Sequence, residues 1–169
     1  MRAIPKWVEK IHEENEDKEQ AGIHSICFHP EGIQLIVGAC DKVLVYEPNE
    51  GTLIETLTGH KDTVYAVAYA YDGKKFASGG SDKCVIVWSN KLDGILKYSH
   101  SDSIQCLAFN PVSHQLVSCT QTDFAFWSAE QKAVQKFKVS SRINCCAWTN
   151  DGQYLALGMA NGTVSIRNK

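Results

Sequence analysis

Short apolar runs broken by polar turns repeat along this chain, and no sustained helical period interrupts them. Four runs open alike, at Ile23–Phe28, Val64–Tyr69, Ile104–Phe109 and Ile143–Trp148, and their closing aromatics are spaced by 41, 40 and 39 residues. Each is followed by a turn: Pro30-Glu31-Gly32, Tyr71-Asp72-Gly73, Pro111-Val112-Ser113 and Asn150-Asp151-Gly152. A second run then begins at Gln34, Lys75, Gln115 and Tyr154, and a third ends at Tyr46, Trp88, Trp127 and Arg167. The runs are short and rich in Val, Ile and aromatics. Asp-Gly and similar pairs between them favour hairpin turns with positive φ, so the pattern predicts antiparallel strands. A fourth strand per unit is expected at Thr52–Thr58, Gly94–Ser99 and Val134–Val139. Residues Val8–Glu19 hold the one weak helical pattern, which is short and polar and reads as a loop or frayed turn.

Four short strands in about 40 residues is the arithmetic of a β-propeller blade. The expected units are 1–22, an N-terminal strand plus an acidic connection; 23–60, blade 1; 61–100, blade 2; 101–141, blade 3; and 142–169, an incomplete blade 4. Residues 2–7 could in principle complete blade 4, but four wedge-shaped blades are too few to close. The fold class is therefore all-β: a partial propeller of about four blades of four-stranded antiparallel sheets, an open arc rather than a closed ring. Open blade faces carry apolar side chains, which predicts self-association. Gly38, Gly79 and Gly158 end the second strands, and Ala66, Ala68, Cys106, Ala108, Cys145 and Ala147 lie in the first, where strands crowd around the axis.

Charge narrows the function classes. Of 169 residues, 17 are Lys or Arg and 19 are Asp or Glu, a net charge of −2. The imbalance lies in residues 1–20, which carry six acids (Glu9, Glu13, Glu14, Glu16, Asp17, Glu19) and four bases (Arg2, Lys6, Lys10, Lys18). The body is neutral, which excludes a bulk-basic nucleic-acid binder. No apolar run approaches the roughly 18–20 residues that cross a bilayer, and the N-terminus lacks a secretory core. Seven cysteines without CxxC spacing argue against a disulfide scaffold or a zinc site. No cofactor is expected.

The second unit carries a spaced polar set: His60, Ser78, Asp82 and Trp88. His60 precedes the first strand and Asp82 sits in the turn between the second and third, so both loops fall on one face of the blade. The carboxylate can hold one imidazole nitrogen and the Ser78 hydroxyl the other, while the Trp88 indole donates to Ser78. Each buried polar group then has a partner. The third unit keeps a partial set, His100, Ser118 and Trp127, with Thr122-Asp123 in place of the clean turn. Ser78, His60 and Asp82 also spell a hydrolase triad, but no G-x-S-x-G elbow surrounds Ser78. A set that fades from repeat to repeat is structural, so no catalytic residue is assigned. The Cys145-Cys146 pair reads as small buried hydrophobes rather than a redox pair. His24, His29 and His114 read as solvent-facing or turn residues. Lys132, Lys136, Lys138 and Arg142 read as a solvated loop.

These motifs resemble the WD-repeat family. The stretches GHKDTVY (59–65), DGKKFASG (72–79), GILKYSH (94–100), SIQC (103–106), HQLVSC (114–119) and WTNDGQYLALGM (148–159) are similar to the N-terminal propeller of the intraflagellar transport protein one-twenty-two homologs. That resemblance implies a non-enzymatic scaffold in intraflagellar transport complex A. It implies other complex A subunits as partners, with ciliary membrane cargo engaged indirectly. It also implies cilium assembly, retrograde transport and membrane-protein localisation, at the cilium, the ciliary base and the cytoplasm or cytoskeleton. Neither nucleic acid nor a transmembrane segment is expected. Lys61, Asp62, Tyr65, Asp102, Gln105 and Asn144, at the strand-entry face, are the candidate protein contacts. The rival assignments are a WD-repeat scaffold of a vesicle coat or a ubiquitin-ligase adaptor.

Overall fold

The computed structural model describes residues 4–11, 22–128 and 134–168. Every regular element among them is a strand. The first sheet contains β1 (Ile23–Phe28), β2 (Leu35–Ala39), β3 (Lys42–Tyr46) and β4 (Leu53–Thr58). The second contains β5 (Val64–Tyr69), β6 (Lys75–Gly80), β7 (Cys84–Ser89) and β8 (Gly94–Ser99). The third contains β9 (Cys106–Phe109), β10 (Leu116–Cys119), β11 (Asp123–Trp127) and β12 (Gln135–Lys138). The last has three strands, β13 (Ile143–Trp148), β14 (Tyr154–Met159) and β15 (Val164–Asn168). Each sheet is an antiparallel meander in chain order. First strands pack side by side, β1 on β5, β5 on β9 and β9 on β13, which fans the sheets into an open arc.

Apolar residues of one blade's third strand meet the next blade's first strand. Val43 and Val45 join Val64, Val67 and Tyr69 between blades 1 and 2. Val85 and Val87 join Ile104, Leu107 and Phe109 between blades 2 and 3. Phe124 joins Ile143, Leu155 and Leu157 between blades 3 and 4. Glycine lets these first strands approach. A Cβ on Gly79 would lie 2.7 Å from Ile104 Cγ2, and one on Gly38 would lie 3.0 Å from Val64 Cγ1.

A second staple runs beneath the blades. Asn110 Nδ2 donates to Gly152 O at 2.8 Å between blades 3 and 4, and His29 Nε2 lies 3.3 Å from Gly73 O at the equivalent position between blades 1 and 2. His29 is thus buried, edge-on to Tyr69, and not solvent-facing, while its carbonyl accepts from Gly32 N at 2.8 Å and opens the turn, the other reading expected of it. Its position after the first strand aims it at the neighbouring blade's hairpin, a contact that no local pattern encodes. His114 is half-buried with φ of 55° in the third unit's hairpin.

Residues 4–11 form no strand, so the N-terminal strand expected within 1–22 is absent from the described part. Trp7 instead stacks on Tyr46 of blade 1, and its indole donates to Pro48 O at 2.8 Å. Aromatic burial, rather than ladder pairing, holds that segment. Most of the Val8–Glu19 stretch, and Lys132, lie outside the described residues.

Both ends of the arc expose apolar residues, although on the outer face of blade 1 Leu35, Val37, Leu44 and Tyr46 are buried, with Trp7 and Ile11 packed against them. Ile26 and Phe28 are 60% and 56% exposed, whereas Val67 and Tyr69, one repeat later, are 6% and 7% exposed. At the other end, Val164 and Ile166 are 71% and 60% exposed where Val85 and Val87 are 0% and 5%. The same repeat positions are core inside the arc and surface at its ends.

Candidate interaction surface

The hairpin order of each sheet brings the loop before the first strand and the turn between the second and third strands to one rim. On blade 2 this places His60 Nδ1 3.0 Å from both Asp82 carboxylate oxygens and Nε2 2.8 Å from Ser78 Oγ. The Trp88 indole donates to Ser78 Oγ at 2.9 Å. One proton arrangement satisfies every group: His60 Nδ1–H donates to Asp82, and the Ser78 hydroxyl donates to Nε2 while accepting from Trp88. Burial pulls the His60 pKa below its ordinary value against the opposing pull of Asp82. Burial alone would raise the Asp82 carboxyl, but His60 and the backbone N–H groups of Cys84 and Lys61 outweigh it and hold it below the usual value.

Blade 3 repeats the arrangement with a fourth partner absent from the sequence-derived set. His100 Nε2 lies 2.6 Å from Ser118 Oγ, which accepts from the Trp127 indole, and His100 Nδ1 lies 3.2 Å from Asp123 Oδ1. The partial set His100, Ser118 and Trp127 is therefore corrected to a full one with Asp123. The carboxylate has moved from the turn into the first residue of β11, five residues after the serine rather than four. Thr120 Oγ1 donates to it at 2.9 Å. Burial also lowers the His100 pKa, against the pull of Asp123.

The six candidate contact residues divide. Tyr65, Gln105 and Asn144 occupy one repeat position on β5, the approach to β9, and β13. Together with His24, Gln121 and Arg142 they line a single polar depression. His24 stands edge-on to Tyr65 there. Lys61 and Asp62 line a different cleft, shared with Asp41, Lys10 and Ile11 beside blade 1. The Lys61 side chain is exposed. Asp62 accepts from Thr63 N at 2.7 Å and Ser81 Oγ at 2.8 Å, and these bonds hold its carboxyl below the ordinary range. Asp102 repeats the local bond, accepting from Ser103 N at 2.8 Å, and lines neither depression.

Cysteine placement escapes the linear reading. Cys145 is exposed, whereas Cys146 faces blade 3, and its sulfur lies within 4.8 Å of those of Cys106 and Cys119. Lys136, Lys138 and Arg142 are exposed.

Meandering sheets packed side by side around first strands, with the His–Ser–Trp–Asp set at one rim, define a WD-repeat β-propeller, here a four-blade arc. Residues 22–169 match the family model described as the IFT122 first beta-propeller, and the chain belongs to that family. Over all 169 residues it is 63% identical to the intraflagellar transport protein 122 homologs of Xenopus tropicalis and of Danio rerio, and 58% identical to that of Homo sapiens. It spans 14%, 14% and 13% of those proteins' lengths.

Proposed function

We propose that this chain is a non-enzymatic interaction scaffold, the leading blades of a propeller in a subunit of intraflagellar transport complex A. It serves cilium assembly, retrograde transport and membrane-protein localisation at the cilium and its base. Similarity over the whole chain to intraflagellar transport proteins carries the reading. The chemistry of the rim is consistent with it. The His60–Ser78–Asp82 set has the residue types of a hydrolase triad, but the serine hydroxyl is 0% exposed and holds an indole. A nucleophile must reach substrate, and this one is structural.

Partner contact is assigned to the rim, through Lys61, Asp62 and the depression containing Tyr65, Gln105 and Asn144. Affinity capture of the tagged chain from ciliated cells tests both parts. Complex A subunits should be enriched, and the double charge reversal Lys61→Glu with Asp62→Lys should reduce them several-fold. Enrichment of vesicle-coat or ubiquitin-ligase subunits instead would replace the assignment. Unchanged capture by the double variant would remove Lys61 and Asp62 from the contact surface.

A further inference from the structure

We infer that Cys106, Cys119 and Cys146 form a three-thiolate site for monovalent copper at the interface of blades 3 and 4. Their sulfurs lie within 4.8 Å of one another. Cys106 and Cys119 face each other across the β9–β10 pair, and Cys146 enters from β13 of the next sheet. Three sulfurs placed about 2.3 Å from one ion in a trigonal plane stand about 4 Å apart. Closing the site therefore needs a contraction below about 1 Å, within reach of side-chain rotation.

The repeat provides an internal comparison. The position of Cys119 is glycine in the other three blades: Gly38, Gly79 and Gly158. The position of Cys106 takes a small residue in every blade: Ser25 in blade 1, Ala66 in blade 2 and Cys145 in blade 4. The position of Cys146 is Ile26, Val67 and Leu107 in the other three. Three thiols thus converge on one interface, from two sheets and three strands, and two of them, Cys119 and Cys146, depart from the repeat. Packing alone accounts for two of them, since cysteine for leucine removes volume that cysteine for glycine restores. The third thiol, Cys106, stands at a position that takes a small residue in every blade, and among the described residues it is the one there that meets two further thiols.

The donor set selects the ion. Among the described residues the cluster contains three thiols and neither histidine nor carboxylate. Soft thiolates favour Cu(I), and three ligands suit it, whereas structural zinc takes four. Val117, Phe124, Ile143 and Leu157 surround the interface and offer no competing hard donor. Cys119 is fully buried, but Cys106 and Cys146 are half-buried and give the ion a way in. On binding, each ligating thiol releases its proton to solvent, and no other bond changes. Cys145 takes no part: its sulfur lies over Gly158, where a Cβ would come within 2.6 Å of it.

The test is competition for Cu(I) between the reduced full chain and bicinchoninate, without oxygen. The wild-type chain should withdraw one ion per molecule, with thiolate-to-metal absorption in the near ultraviolet. Cys119→Gly with Cys146→Leu rebuilds the blade 2–3 interface residues and should weaken uptake at least tenfold. Cys145→Ser should leave it intact. Cys106→Ala gives the same readout with a single small change if the double variant melts early. Failure to withdraw copper, equal uptake by the double variant and Cys106→Ala, or retention of Zn(II) but not Cu(I) would each overturn the assignment.

Discussion

Ser78→Ala removes one oxygen from the centre of the blade 2 network. Ser78 Oγ accepts from Trp88 Nε1 at 2.9 Å and meets His60 Nε2 at 2.8 Å, at a site with no exposed surface. The substitution leaves an indole donor and an imidazole acceptor without partners. Each such group costs about 1–3 kcal/mol, so the expected loss is about 2–6 kcal/mol. At about 2–4 °C per kcal/mol for a chain of this size, the melting temperature should fall by about 4–24 °C. Trp88→Phe removes the donor but also thins the packing against Gly59 and Gly94, whose Cα positions the indole covers. A double-mutant cycle of the two separates these effects, because the hydrogen-bond loss is counted once in the pair and the packing loss is confined to the tryptophan arm. Thermal melts followed by circular dichroism should give a coupling of about 1–2 kcal/mol. Additive losses, or a Ser78→Ala cost below about 0.5 kcal/mol, would refute the claim that the set works as a network.

Acid should loosen the arc early. Burial holds His60 and His100 below their unfolded value near 6.5, so the unfolded chain takes up protons first, and stability falls as pH drops from about 6.5 towards the folded pKa values. The slope is at most about 1.4 kcal/mol per pH unit per histidine, and melts between pH 7.5 and 5.5 read it. The Asp82 contribution persists lower, since its folded pKa is depressed. Two glycines at similar φ separate backbone strain from contact: Gly32→Ala, with φ of 71° and open space, should cost about 1 kcal/mol. Gly73→Ala, whose Cβ would lie 2.4 Å from His29 Nε2, should cost at least about 1 kcal/mol more, and equal melting temperatures for the two variants would contradict the inter-blade staple. The isolated chain should self-associate in sedimentation through the apolar residues exposed at its two ends. Phe28→Lys with Ile166→Lys should shift it towards monomer, and a wild-type monomer at high concentration would count against that reading.

Much of the fold could be read from the chain alone. Strand positions follow from short apolar runs bounded by turns, because inner strands such as β2, β6 and β10 are buried on both faces. The expected fourth strands at Thr52–Thr58 and Gly94–Ser99 appear at Leu53–Thr58 and Gly94–Ser99, and that at Val134–Val139 narrows to Gln135–Lys138. The blade 2 polar set was legible because hairpin lengths fix which loops share a rim. Asp123 was missed because a one-residue shift within a shortened hairpin changes the spacing yet leaves the carboxylate beside the same imidazole.

Contacts between blades are a different matter, since they join residues about forty positions apart with no local signature. His29 reads as a turn residue until the next blade places Gly73 against it. Cys106, Cys119 and Cys146 are unremarkable in spacing and become a cluster only when two sheets meet. Phe28 and Tyr69 share a repeat position, and the chain assigns them the same role. Only the tertiary arrangement separates them, because burial depends on whether a neighbouring blade is there to exclude water. Short apolar runs and turn chemistry thus determined the blades, while the stacking of blades decided which polar groups are paired, which thiols converge and which apolar faces stay open.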